Sequence, residues 1–106
     1  MPFGLFENMR RDDVIAKLKA TEPVLRRLGV AALYLFGSHA RDEASPDSDV
    51  DVFIDVAPGA AFGLRPYMGA FETLKQAVGE HVDYGTRNGL HPLLRSDIER
   101  EAIRIF

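Results

Sequence analysis

Asp49 and Asp51 stand one residue apart in the stretch DVDVFIDV (49–56), and a Gly37-Ser38 pair precedes them with ten residues between Ser38 and Asp49. On a strand, residues two apart project from the same face, so the two carboxylates lie side by side. Hard divalent cations such as Mg²⁺ take carboxylate oxygens and keep substrate phosphates in their shell. A glycine allows close backbone approach, and a backbone amide with a serine hydroxyl can hold phosphate oxygens. Either half alone is ordinary: paired aspartates decorate many solvated sheet faces, and a Gly-Ser turn after a strand is common. Together they read G-S-x10-D-x-D. With each residue type at roughly one in fifteen to twenty, that pattern arises by chance in about one per thousand chains of this length.

The elements that must position these groups are legible along the chain. Asp12 and Asp13 open a helical pattern with Val14, Ile15, Leu18, Leu25 and Leu28 on one face and Gly29 past its end. Pro23 inside that pattern kinks or restarts the helix, with Thr21 as a candidate cap. VAALYLF (30–36) reads as a buried strand stopped by Gly37, and 38–48 as a turn or short helix followed by a loop. In 49–56 the alternation sends Val50, Val52, Ile54 and Val56 to one face and Asp49, Asp51, Phe53 and Asp55 to the other. A glycine-bearing loop, APGAAFGLRP (57–66), leads to a helix over 67–78 carrying Met68, Phe71, Leu74 and Val78. HVDYGT (81–86) is a third strand, with Asp83 on the face opposite Val82 and Tyr84. The tail LLRSDIEREAIRIF is helical in pattern through Leu94, Ile98, Ala102 and Ile105. The order α-β-β-α-β-α implies an α/β fold, a small mixed sheet flanked by helices.

Composition narrows the function classes. The 106 residues fit one domain, 1–106, with 46% hydrophobic and 27% charged residues, ordinary globular values. A formal net charge of −3 argues against stable nucleic-acid binding, which needs a concentrated basic surface, but not against one nucleotide held through cations. The chain has no cysteine, so disulfides and thiolate metal sites are excluded. MPFGLFENMRRDD places its arginines after a short apolar stretch, the wrong order for a secretory signal, and no apolar run reaches membrane-spanning length. A cytoplasmic protein without membrane contact is the expectation.

With the motif and its frame in place, the chain resembles the minimal nucleotidyltransferases of the DNA polymerase β-like superfamily. The likeness runs from about Asp12 to Phe106 and rests on TEPVLRRLGV, LYLFGSHAR, PDSDVDVFIDV, the FGL before the second helix, HVDYGT and HPLLRSDIEREAIRIF. It implies a polymerase-β-like palm fold. It also implies that Gly37 and Ser38, with Arg41 as a further phosphate contact, hold a nucleoside triphosphate, ATP in this family. Asp49, Asp51 and Asp83 would then bind two Mg²⁺ ions, and Asp83 would help deprotonate an acceptor hydroxyl. The family has Ala-Arg-Gly after the Gly-Ser, whereas here Asp42 follows Ala40 and Arg41. An aspartate there either repels the triphosphate or faces solvent, and Arg41 pairs equally well with Asp42 or Asp47.

Small members of this family are often encoded beside a helical HEPN-type ribonuclease toxin. The resemblance implies that such a member acts as antitoxin, transferring AMP to a toxin tyrosine. Larger relatives carry an acceptor-binding domain, so a partner protein, or a homodimer or hetero-oligomer, is expected to complete the cleft. A binding module that neutralises its partner by contact alone is the alternative, and transfer to a small molecule such as an antibiotic is a third. His39 lies beside the motif, where an exposed histidine is usually incidental; His81 and His91 lack partners at metal-ligand spacing. Tyr34, Tyr67 and Tyr84 suit packing better than catalysis. Phe3, Leu5 and Phe6 mark either a docking surface or core packing.

Overall fold

The computed structural model describes residues 10–79 and 81–106; Phe3, Leu5 and Phe6 lie outside the described residues. The chain runs α1 (Arg11–Lys19), α2 (Glu22–Leu28), β1 (Val30–Phe36), α3 (Gly37–Ala40), β2 (Val50–Val56), α4 (Leu64–Val78), β3 (Val82–Thr86), a 3₁₀ turn (Arg87–Gly89), α5 (Arg95–Glu101) and β4 (Ile103–Arg104). The four strands form one mixed sheet in the order β3-β2-β1-β4. β1 pairs antiparallel with both β2 and β4, and β3 runs parallel to β2, as its connection through α4 requires. The α/β architecture expected from the sequence is the one observed.

One face of the sheet carries the core. Leu33, Leu35, Val50, Val52 and Ile54 meet Val14 and Leu18 of α1, Leu25 of α2, and Ala70, Leu74 and Val78 of α4, all buried. Pro23 restarts the helix: α1 stops at Lys19 and α2 begins at Glu22, with proline in the first turn, where its missing N–H costs nothing. Thr21 occupies the cap position but does not cap. Its hydroxyl donates to the Leu18 carbonyl at 2.6 Å, satisfying the end of the preceding helix instead.

Three expectations from the sequence need correcting. α4 begins at Leu64, so part of the presumed loop is helical, and its buried face is Ala70, Leu74 and Val78, whereas Met68 is exposed. The C-terminal tail is not one helix: after α5, Ile103 and Arg104 pair with Leu35 and Tyr34 at the edge of β1. The Ile105 amide donates to the Leu33 carbonyl, the Leu33 amide donates to the Phe106 carbonyl, and Ile105 is buried, while Leu94, assigned to the same helical face, is exposed. The third concerns Phe53, which parity places on the face opposite the core, yet which is fully buried. It stacks on Tyr34 with centroids 4.8 Å apart, touches Phe36, and lies beneath the Arg87 guanidinium, 4.9 Å from the ring centre. Arg87 is held there by both Asp55 oxygens and by Glu99 of α5. A second, small apolar cluster therefore covers half of the outer face. Phe53→Ala empties its centre, and we expect a loss of about 3–5 kcal/mol in urea-unfolding stability with an unchanged m-value.

Candidate active site

The uncovered half of the outer face lies where β1 ends. Phe36, Asp51 and Asp83 occupy one transverse row of the sheet, because Asp51 pairs in register with Phe36 of β1 and with Asp83 of β3. The chain leaving Phe36 enters Gly37 and Ser38 directly, so strand register alone brings the Gly-Ser pair beside the aspartates. Asp49 immediately precedes β2 on the same side by parity, is exposed, and has its Oδ1 3.9 Å from His81 Nδ1. Asp83 is exposed and Asp51 half-buried.

Gly37 has φ +76°, in the left-handed region, and a Cβ there would collide with the Asp51 carboxylate. Only glycine meets both conditions. Its amide donates to Glu101 Oε1 at 3.1 Å, and the other Glu101 oxygen accepts from Arg41 Nη1 at 2.9 Å. Arg41 Nε in turn donates to Glu43 at 3.0 Å. The arginine therefore pairs with Glu101 and Glu43, not with Asp42 or Asp47. Among the described residues the Ser38 hydroxyl makes no hydrogen bond with another side chain or the backbone. Asp42 has φ +60°, the left-handed conformation that favours glycine. It is exposed and lines a hollow with Arg10, Arg11 and Asp12 at the start of α1.

His39 is buried, contrary to the expectation of an exposed side chain, and its Nδ1 has no hydrogen-bond partner among the described residues. It lines a small hollow with Ser45, Pro46, Ser48, Val50, Val78 and His81. His91 accepts the Leu93 amide in a local turn. Tyr84 donates to the Tyr67 carbonyl and Tyr34 stacks on Phe53, so the tyrosines pack as expected. Glu101 is the residue that sequence reasoning missed. It looked like one more polar position of a surface helix, and its partners lie 64 and 60 residues away.

Crowding the carboxylates has an electrostatic consequence. Burial, then the charges of Asp83 and Asp49, push the Asp51 pKa up from 3.8 to about 6; Glu101 adds to the rise and Arg41 opposes it. The donor set suits a hard divalent cation in kind, being all carboxylate oxygen and mutually repelling. Among the described residues no three His, Cys, Asp or Glu side chains already converge on one point, so substrate oxygens or side-chain rotation must complete a shell.

Two outcomes follow. Asp51 in the folded chain keeps its proton where the unfolded chain has lost it, so its contribution to stability falls as pH rises from 3.8 to about 6 and stays low above that. Asp51→Asn is expected to flatten this fall and to raise the melting temperature at pH 7 by about 2–4 °C, the half-exposed position reducing the full effect. Calorimetry of both proteins from pH 4 to 8 checks it. Asp42→Gly relieves the left-handed aspartate and should add about 0.5–1 kcal/mol in chemical denaturation, since the strain removed exceeds the freedom gained by the unfolded chain.

The geometry agrees with the comparisons. The nucleotidyltransferase domain family matches residues 18–105. A Methanocaldococcus jannaschii protein provisionally named protein adenylyltransferase MJ0435 is 34% identical over 84 residues, 79% of this chain and 88% of its own. Protein adenylyltransferase MntA of Thermococcus cleftensis is 30% identical over 95 residues, 89% of this chain and 94% of its own. A solved structure provisionally described as a minimal nucleotidyltransferase superposes with a TM-score of 0.75 at 33% identity, covering 90% of this chain and 95% of that one. With its aspartate row, its Gly-Ser turn and this match along nearly its whole length, the chain belongs to the nucleotidyltransferase domain family and is a nucleotidyltransferase.

Proposed function

We propose that this enzyme transfers AMP from ATP to a hydroxyl, a tyrosine, of a partner protein, and that the partner is a helical HEPN-type toxin which the transfer neutralises. The observation that carries the reading is the row Asp51–Asp83 beside Gly37-Ser38, open to solvent at Asp49 and Asp83. Two relatives named as protein adenylyltransferases support a protein acceptor. The antitoxin role rests on the family resemblance.

In the proposed reaction the acceptor oxygen forms a bond to the α-phosphorus as the bond to the pyrophosphate oxygen breaks, and pyrophosphate leaves. Asp83, exposed beside Asp51, takes the hydroxyl proton. Ser38 offers its hydroxyl to the phosphates and Arg41 the remaining edge of its guanidinium. Asp49, Asp51 and Asp83 would hold Mg²⁺, two ions in this reading, which supply charge neutralisation at the α-phosphate and at the leaving group. Asp51 must lose its proton to serve there, so proton and Mg²⁺ compete for it, and the Mg²⁺ concentration needed for half-maximal transfer should rise as pH falls below about 6.

A contact-only antitoxin is the second reading, and the left-handed Asp42 in place of glycine is what favours it. The two separate in one experiment. Purified protein, α-labelled ATP, Mg²⁺ and the product of the neighbouring gene are mixed, with Asp49→Asn and Asp83→Asn as controls. Label should move to a tyrosine of the partner, fall by about 10²–10⁴-fold in either variant, and vanish with EDTA. Asp49 and Asp83 are exposed and each repels Asp51, so both variants should fold and melt no lower than the wild type. Equal neutralisation of the partner by wild type and variants, without label, would establish the contact-only reading.

A further inference from the structure

Glu101 ends α5 and is the point where the last helix touches the glycine turn. Its two oxygens are divided: Oε1 takes the Gly37 amide and Oε2 takes Arg41. Gly37 is the residue whose left-handed backbone leaves room for the Asp51 carboxylate. Arg41, about half exposed, is held at two of its three nitrogens, Nε by Glu43 and Nη1 by Glu101. Its Nη2 makes no hydrogen bond among the described residues. A guanidinium fixed on two edges has little rotamer freedom left to lose, and its planar fork then presents the third edge in one direction.

We propose that Glu101 is a positioning residue for the nucleoside triphosphate, acting through Arg41 while holding the Gly37 turn. This rests on the nucleotidyl-transfer reading above. A carboxylate suits the task because both of its oxygens accept and both partners donate. Glutamine keeps the shape and can still accept the Gly37 amide. Its NH₂, however, would face the Arg41 donor, so the Arg41 arm alone is broken. The opposite role is a stand-in: Glu101 occupies the place of a phosphate and is displaced when ATP arrives. The two differ in sign, since removing a competing negative charge tightens ATP binding, whereas freeing Arg41 weakens it.

The test is ATP–Mg²⁺ binding by calorimetry, on the full chain without acceptor protein, for wild type, Glu101→Gln, Arg41→Ala and the double variant. Circular dichroism melts identify folded variants. Positioning predicts that Glu101→Gln weakens ATP binding by about tenfold, the loss of one charge-assisted hydrogen bond. It also predicts that the double variant binds no more weakly than Arg41→Ala, because the residues act as a unit. Equal or tighter binding by Glu101→Gln overturns the proposal, and so does a double variant whose losses simply add. Should the glutamine variant not fold, Glu101→Asp, which keeps the charge and shortens the reach, is read by the same criteria. If the wild type binds no nucleoside triphosphate while remaining folded, the nucleotidyl-transfer reading fails first. Binding by wild type and Glu101→Gln alike defeats only the role of Glu101.

Discussion

The Asp51 carboxylate fills the space in which residue 37 would otherwise carry a side chain, and much of the outer face follows from that contact. It requires glycine at 37 and fixes the direction in which the chain leaves β1. It also keeps Ser38 two residues from the row that Phe36 shares with Asp51 and Asp83. The contact costs something electrostatically, since Asp51 is half-buried beside two like charges and its pKa rises accordingly. A core alone would not favour this arrangement. Leu33, Leu35, Val52 and Ile54 on the opposite face hold β1 and β2 in register and so keep the carboxylates in place. The strain of the site is carried by hydrophobic burial elsewhere in the same strands.

The sequence made the core strands legible because their chemistry is local. VAALYLF and VDVFIDV announce themselves by composition and alternation, and Gly37 and the aspartates by a fixed spacing. What stayed hidden depends on partners distant in the chain. Phe53 has the parity of an outward residue; it is buried because Tyr34, Phe36 and Arg87 come to it from other elements. Ile103 and Arg104 continue a helical period in the sequence, yet they become a strand because the free edge of β1 offers hydrogen bonds. His39 is two residues from a glycine in a polar stretch, and nothing local told that α3 turns it inward. Glu101 had no signal, since what distinguishes it is the company of Gly37 and Arg41.

The outer face is therefore built in two halves with different balances of charge. Over Tyr34 and Phe53, Arg87 is matched by Asp55 and Glu99, and Arg95 adds a second cation to Glu99. That half is apolar beneath and compensated above, and it holds α5 onto the sheet. At the other half the cation that bears on Asp51 is Arg41, and its charge is already engaged by Glu101 and Glu43. It lowers the Asp51 pKa, but burial and the neighbouring carboxylates outweigh it. Were Arg41 paired directly with Asp51, one of the three carboxylates would already be matched without any added cation. Because α5 supplies Glu101 to hold Arg41, none of the aspartates is matched by it directly, and their charge is left for something brought from solution to relieve. The same helix that seals the apolar half by Glu99 thus leaves the acidic half unsatisfied by Glu101, and an unsatisfied cluster of oxygen donors is what a phosphate-bound divalent cation requires.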